Sequence, residues 1–433
     1  MFWKIAYNGV FLPLVWLLAW GVSRIHPKVG ASWRGRHGLW ERIEAQLADR
    51  DPAKPLAWFH VSSAGEYLQA QPVMERLTAA GWQVALTVFS VTGYQWASRR
   101  RGNTRNITPG NPGNIIVVDY LPLDFPGNTR RMLALLRPNV VVCVKFDLWP
   151  NMLWQIARAK VPLYLISGTL RADSLRINNP LGRSLSASLH QCFTAILAVT
   201  EEDRQRFLST LPNHPQVIHG GDTRFDSVLD RKKTLAPPQV PDWLSRAPVF
   251  MAGSTWPADE EYLLPVLRRA LEKHPELVAV VVPHEVGEPH LKAVEQGLAG
   301  HSIIRWTAMT PGSSPHRVVL VDTVGQLSTL YQLALLAYVG GGFSSGVHNT
   351  MEPAAMGVPP LFGPRHKNSP EAMELARLGL AYPIADGPSL EKQLTALLAD
   401  PKSVRETGRR AARFIEDHGG ASDTCFQILD QHR

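Results

Sequence analysis

Cysteine is scarce in this chain: Cys143, Cys192 and Cys425 stand far apart among 433 residues, an odd number without the paired spacing of metal ligands. That excludes a disulfide framework and a cysteine-held zinc site, and it fits reduced thiols facing the cytoplasm. No short internal repeat occurs. Acidic residues are outnumbered, 37 Asp and Glu against 45 Lys and Arg, giving a formal net charge of +8 and a pI near 9.5. The balance points to an anionic partner: a membrane surface, a nucleotide or a phosphorylated lipid, among which charge alone does not choose.

What is present begins at the N-terminus. Ile5 to Val22 is apolar apart from Asn8 and the helix-bending Pro13, with Trp3, Trp16, Trp20 and Trp33 nearby. As a helix this stretch reaches about 27 Å, just short of a hydrocarbon core. Lys4 precedes it, and Arg24, Lys28, Arg34 and Arg36 follow, so the positive-inside rule keeps the body of the protein in the cytoplasm. A cleaved signal peptide is the rival reading, but there is no clear small-x-small cleavage site and the basic flank opposes export. Residues 1–28 are therefore expected to anchor the chain to a membrane, spanning it or lying in its interface.

Beyond the anchor, apolar runs alternate with helical stretches. LAWFHV (56–61), WQVALTVFS (82–90), NIIVVDYLP (114–122), VVVCVKF (140–146), VPLYLIS (161–167), AILAVT (195–200) and QVIHGG (216–221) recur at strand–helix spacing. Runs of that length imply parallel sheets covered on both faces. In AGW-QVALT, Gly81 is placed to end one helix before the next strand begins. Residues 232–248, KKTLAPPQVPDWLSRAP, carry four prolines and read as a linker. A second series follows with VFMAGST (249–255), VAVVVP (278–283), RVVLVDT (317–323) and LLAYVGG (335–341). The expected fold is α/β with two doubly wound, Rossmann-like domains, at residues 29–232 and 248–433 around a linker at 233–247. Such domains place ligands at the carboxyl ends of their strands, here in one cleft.

The polar motifs fall at those strand ends. Ser62, Ser63, Gly65 and Glu66 follow the first strand, Asp124 the third, and Lys145, Asp147, Trp149 and Asn151 the fourth. In the second series they are Gly253, Ser254 and Thr255, then Pro283 and His284, then Asp322 and Thr323. Residues 335–364 then read as a buried strand, the glycine run Gly340 to Gly342, and a helix start carrying His348, Asn349 and Glu352. Consecutive glycines admit positive φ and close backbone approach to an anion, and the free N–H groups of a helix start supply donors. Pro353 fixes the helix start near Asn349 or Thr350, and Pro359-Pro360 its end. Structural readings stand beside these. The glycines also suit a packing turn, Ser63 and Glu66 form a capping box, Asp124 before Pro126 reads as a helix cap, His284 fits a satisfied strand-end histidine, and Arg224 is placed to pair with Asp222 or Asp226.

Taken together, HVSSAGE, YLPLDFP, FDLWPN, GGDTRFD, AGST, VDTVGQLSTLY and GGGFSSGVHNTMEPAA resemble, in order and spacing, the 3-deoxy-D-manno-octulosonic acid (Kdo) transferases of lipopolysaccharide assembly, over nearly the whole chain. The resemblance implies a glycosyltransferase B fold and an inverting transfer of Kdo from CMP-Kdo to a lipid A precursor, lipid IVA. It places the protein on the cytoplasmic face of the inner membrane, with no nucleic-acid partner. No cofactor or metal is implied beyond the donor substrate, because helix N-termini and basic side chains can stabilise the departing phosphate. By motif position Glu352 resembles the residue that holds the ribose hydroxyls, and Gly341, Gly342, Ser254 and Thr255 a phosphate and sugar cradle. Pro283 and His284 fall near the cytidine, with His348 and Asn349 in the same donor set. Arg224 and Lys145 are candidates for the donor carboxylate or an acceptor phosphate, and Ser62, Ser63 and Gly65 for the acceptor side.

Three departures stand out. The family carries a glutamate just after the membrane segment, proposed as the base that deprotonates the acceptor. Here SWRGRHGLWER puts Arg34 and Gly35 in its place, and a guanidinium cannot accept that proton. Asp147 stands where a glutamate precedes the LWPN motif, and Leu335 where an aspartate often precedes the glycine loop. Glu66, Asp147 and Glu41 are the remaining candidate bases. The same departures keep open a divergent glycosyltransferase using another donor, or a binding protein that has lost transfer.

Overall fold

Each of two sheets is built from seven parallel strands. The computed structural model describes residues 2–102, 115–214 and 216–433, so Asn114, at the start of the third expected strand, lies outside the described residues. The chain divides into two compact units, Met1–Asp230 with His418–Arg433, and Arg231–Asp417.

The first unit holds β1 (Leu56–Val61), β2 (Gln83–Val88), β3 (Ile115–Tyr120), β4 (Val140–Val144), β5 (Leu163–Gly168), β6 (Ala195–Ala198) and β7 (Val217–His219), in the order β3-β2-β1-β4-β5-β6-β7. The second holds β8 (Val249–Thr255), β9 (Val278–Pro283), β10 (Ile303–Arg305), β11 (Val318–Leu320), β12 (Ala334–Val339), β13 (Pro360–Phe362) and β14 (Tyr382–Pro383), in the order β10-β11-β9-β8-β12-β13-β14. Every residue of β1, β2, β4 and β5 is buried, as continuous apolar runs under helices on both faces require. The strand order reverses between β1 and β4 and between β8 and β12. At such switch points the flanking connections diverge and open a crevice beyond the strand ends.

Two boundaries differ from the sequence reading. The expected linker at 233–247 is partly built: the helix Thr223–Thr234 runs into it, Asp242–Arg246 is helical, and Leu244 is buried with Val249, Met251 and Tyr331. The second domain also stops short of residue 433. Helix Ala421–Asp430 belongs to the first unit, where Cys425 and Leu429 join Met74, Leu77 and Trp82 in the core. Asp226 accepts the N–H groups of Gly420 (2.6 Å) and Ser422 (2.7 Å) at its start, and Trp82 Nε1 donates to Asp430 (2.7 Å) near its end.

At the N-terminus, Phe2–Ser23 is one helix with a π-helical turn at Tyr7–Phe11. Pro13 explains that turn: it has no N–H for the preceding turn and its ring crowds it, and a wider turn absorbs both effects. Arg36, expected in the basic flank, is instead turned inward. Its guanidinium donates to the carbonyls of Leu121 (2.8 Å) and Phe89 (3.1 Å) and to Ser32, and burial lowers its pKa to about 10.

Candidate functional site

In the first unit the β1/β4 switch point gathers His60, Ser62, Glu66, Lys145 and Asp147. His60 is fully buried at the end of β1. Its Nδ1 faces the Thr87 carbonyl at 3.1 Å and its Nε2 faces Asp147 Oδ2 at 2.7 Å. A carboxylate only accepts, so Nε2 carries a hydrogen and donates to Asp147, while Nδ1 lies 3.1 Å from both the carbonyl and the hydroxyl of Thr87. Burial acts to raise the Asp147 carboxyl, yet the hydrogen bond and charge of His60, with hydrogen bonds from Ser62 and Trp149, hold it below the usual aspartate range. Glu66 is the opposite case. Burial pushes its pKa up, aided by the charge of Asp147 and opposed by the Ser62 N–H and by His60 and Lys145. Two neighbouring carboxylates are thereby pushed apart in acidity, the arrangement that separates a base from a fixed anion.

Backbone geometry supports the same place. Lys145 sits at φ 66° directly after β4, a left-handed conformation that non-glycine residues adopt only under surrounding constraint and that clusters at functional sites. Its amide is held by the Ile166 carbonyl at 2.9 Å, and its Nζ makes no ion pair among the described residues. Ser63 caps the helix Ala64–Ala79 by accepting from the Glu66 N–H (3.4 Å), while the Glu66 carboxylate takes the N–H of Ser62. Only half of the expected capping box forms, because the Glu66 carboxylate turns to the Ser62 amide and not to that of the N-cap Ser63. Gly65 has neither positive φ nor a crowded Cβ position, the nearest atom being Ser63 Oγ at 3.8 Å.

The stretch SWRGRHGLWER borders this cluster. Arg36 lies 5.0 Å from the rings of both Phe89 and Tyr120, the Phe89 ring packs tilted by 38° against Trp149 at 4.6 Å, and Trp149 Nε1 donates to Asp147 at 3.2 Å. A Cβ on Gly35 would sit 2.6 Å from the Tyr120 ring, so Tyr120 fills the space a side chain at 35 would need. Glu41 lies exposed in the first turn of Leu39–Gln46, and no hydrogen bond among the described residues joins it to Glu66, Asp147 or Lys145. Asp124 does cap a helix, but not the one that follows it. It takes the N–H groups of Asn151 (3.0 Å) and Met152 (2.8 Å) and the Tyr7 hydroxyl (2.9 Å), and burial raises its pKa to about 6. Arg224 pairs with Asp222 through Nε (2.8 Å) and Nη2 (2.7 Å), holding that buried carboxyl below its usual range despite the opposing effect of burial.

In the second unit the β8/β12 switch point carries an aromatic shelf. The rings of Trp256 and His284 stack at 4.4 Å, His284 and His348 at 4.8 Å, and Trp256 Nε1 donates to His348 Nε2 at 2.8 Å. That nitrogen must stay an acceptor. Burial, with the charge of His284, lowers the His348 pKa, in keeping with a neutral ring. His284 is exposed beyond Pro283, the last residue of β9, and its N–H is held by the Thr255 carbonyl at 2.9 Å. Ser254 adopts φ 53° at a bulge in β8, and the Thr255 hydroxyl donates to Glu260 at 2.7 Å.

The glycine run has a different role from the expected anion grip. A Cβ on Gly340 would lie 2.0 Å from the Ser254 carbonyl oxygen, one on Gly341 2.3 Å from that of Gly346, and one on Gly342 2.4 Å from the Gly363 nitrogen. Backbone meets backbone at all three, so the packing turn accounts for them. The amides of Gly341 (2.8 Å) and Phe343 (3.2 Å) donate to the fully buried Asp259, which also accepts from Tyr338 Oη (2.9 Å) and from the Trp256 N–H (3.0 Å). The amides of Gly341 and Phe343 are thus satisfied by an internal carboxylate. The helix starts at Met351 after Thr350, as Pro353 requires, but is only Met351–Ala355, too short for a sizeable dipole. Asn349 Oδ1 takes the Met351 N–H at 3.1 Å. Glu352 accepts from Arg231 (2.9 Å), Ser328 (2.8 Å) and Asn349 (3.3 Å). With about four lone-pair positions on a carboxylate, one is left for a ligand hydroxyl.

His60, Trp256 and Asp259 were missed as site residues. The only signal for His60 was an ionisable residue within an otherwise apolar strand run. Asp259 had a local one, an acidic residue three after Trp256 at a Pro-led helix start.

Comparison with known proteins follows the same lines. Residues 31–227 match a family model described as 3-deoxy-D-manno-octulosonic-acid transferase (kdotransferase). Across 438 residues the chain is 29% identical to 3-deoxy-D-manno-octulosonic acid transferase of Bordetella pertussis, covering 99% of this chain and 98% of that one. The protein of that name in Chlamydia pneumoniae is 30% identical over 396 residues, 87% of this chain and 85% of the relative. Among solved structures, Acinetobacter baumannii MurG superposes with a TM-score of 0.55 at 12% identity, covering 87% of this chain and 99% of that one. UDP-GlcNAc 2-epimerase from Neisseria meningitidis gives 0.56 at 16% identity, covering 84% and 99%. These structural likenesses establish the fold, of glycosyltransferase B type.

Proposed function

Because this chain belongs to the 3-deoxy-D-manno-octulosonic acid transferase family and is a glycosyltransferase, we propose that it transfers Kdo from CMP-Kdo to a lipid A precursor, lipid IVA, with inversion, at the cytoplasmic face of the inner membrane. The acceptor hydroxyl attacks the anomeric carbon, its proton passes to the base, and the bond to the CMP phosphate breaks through an oxocarbenium-like transition state. Glu66 is the base. Its pKa is raised, so its carboxylate is a stronger proton acceptor than Asp147, which His60 keeps ionised. Asp147 orients the acceptor as a fixed hydrogen-bond acceptor, and Lys145 neutralises the Kdo carboxylate or an acceptor phosphate. In the second unit the His284, His348 and Trp256 rings receive the cytosine face, Glu352 takes one ribose hydroxyl with its remaining lone pair, and Ser254 serves the phosphate.

The observation that carries this reading is the Glu66, Asp147, His60 and Lys145 cluster at the β1/β4 switch point, in a chain that matches Kdo transferases nearly end to end. Full-length protein incubated with CMP-Kdo generated in place and lipid IVA is expected to yield the acceptor plus one or more Kdo masses, with the anomeric configuration opposite to that of the donor. CMP binding without any mass gain would defeat the proposal, and retained configuration would defeat the mechanism.

A further inference from the structure

We propose that the helix Phe2–Ser23 lies within one leaflet of an anionic membrane and does not cross it, its first turns staying docked on the unit that carries Glu66. The inference rests on the membrane association proposed above and specifies its form. A helix of 22 residues is about 33 Å long at 1.5 Å per residue, enough to cross a hydrocarbon core. Crossing would carry one end to the far side of the bilayer from the folded body. In the structure both ends touch that body.

At the start, Trp3 Nε1 donates to Ser184 Oγ (3.0 Å), the Tyr7 hydroxyl donates to Asp124 (2.9 Å), and the side-chain amides of Asn8 and Asn151 exchange hydrogen bonds at 3.0 and 2.9 Å. Tyr7 also packs edge-on against Trp154 at 5.9 Å. At the other end it packs on the helix that follows, Pro27–Gly35, with the Trp16 ring 6.0 Å from Trp33 and a Cβ on Gly30 only 2.6 Å from the Ser23 carbonyl oxygen, and Arg36 just beyond fastens that helix to the carbonyls of Leu121 and Phe89. A rod fastened at both ends to one body runs along its surface. To cross, it would have to release the first set of contacts and draw Lys4 and Asn8 into hydrocarbon.

Between the fastenings the helix is apolar all round and uncovered: Val10, Phe11, Leu14, Val15, Leu17 and Leu18 are 54% to 63% exposed. Lipid is the occupant that fits. Trp16 and Trp20 suit the headgroup boundary, and the Arg24 guanidinium lies 3.9 Å from the Trp20 ring, a cation held at that level for anionic headgroups. Leu175 and Leu181, 75% and 66% exposed on the segment leading to Ser184, supply further apolar surface near the docked end.

The test uses the full-length chain in its native membranes, in a Cys192→Ser background. An Asn8→Cys/Asn151→Cys pair is treated with an oxidant, and Phe2→Cys, in a separate variant, with a membrane-impermeant maleimide on vesicles of either orientation. A crosslink within one chain, with Phe2→Cys labelled only in inverted vesicles, is the expected result. Labelling only in right-side-out vesicles with no crosslink would overturn the proposal, as would crosslinks that join two chains. Should the asparagine pair fail to fold, Trp3→Cys/Ser184→Cys gives the same readout. If the chain instead washes free of membranes and does not bind phosphatidylglycerol vesicles, the membrane reading itself fails and takes this proposal with it.

Discussion

At the scale of single residues, glycines separate packing from ligand approach. Gly341 holds φ 90° and a Cβ there would meet the Gly346 carbonyl at 2.3 Å, whereas Gly65 leaves its Cβ position open. Gly341→Ala is expected to destabilise the second unit by about 2 kcal/mol or more. Gly65→Ala should leave unfolding unchanged or raise it by up to about 1 kcal/mol through helix propensity, while lowering the rate of transfer if the acceptor passes over that turn. Denaturant unfolding with parallel activity measurements checks both, and a Gly65→Ala protein that is fully active would remove the acceptor from that helix start. Asp124 offers a pH test. Its folded pKa, raised by burial from 3.8 to about 6, lies above its unfolded value, so the native state binds the extra proton and stability falls as pH rises between these values, then levels off. The fall should be about 3 kcal/mol relative to Asp124→Asn. Parallel stability profiles for the two proteins from pH 4 to 7 would contradict the assignment.

Among elements, the last helix is the most exposed to test. Ala421–Asp430 lies at the end of the sequence but is capped by Asp226 and fastened through Trp82 and the Arg76–Asp423 pair. A chain ending at Asp417 would uncover Cys425's and Leu429's places in the core and leave buried Asp226 without its amide donors, so it is expected to fail to fold its first unit, seen as loss of soluble expression or of a cooperative melt. A truncated chain that melts like the full one would contradict this. Local pattern does not reveal such a return. The strand series was legible because continuous apolar runs mark strands buried on both faces, and β1, β8 and β9 fall on the residues read for them. β10, β13 and β14 were not, being only two or three residues long, two of them carrying proline. The turn at Gly81 and the helix start after Thr350 were legible because glycine and proline fix them locally. The pairing of His60 with Asp147, 87 residues apart, and of Asp259 with the glycine loop are tertiary events that no local signal announces.

For the whole molecule, Arg34 and Gly35 stand where the resemblance implies a glutamate base, and Tyr120 fills the space that a side chain at 35 would need. In the proposed reaction Glu66 takes the proton and Asp147 stays a fixed anion. The direct measurement is the pH dependence of Kdo transfer to lipid IVA, followed by mass spectrometry, for the wild type, Glu66→Gln, Asp147→Asn and Glu41→Gln. The base must be ionised to act, so wild-type kcat/KM should rise with pH through an apparent pKa above the ordinary glutamate range, as the direction of the Glu66 shift requires. Glu66→Gln should lose at least about 100-fold in kcat, together with that limb, Asp147→Asn should keep the limb at a lowered rate, and Glu41→Gln should resemble the wild type. Near-wild-type transfer by Glu66→Gln, or its loss in Glu41→Gln alone, would contradict the account.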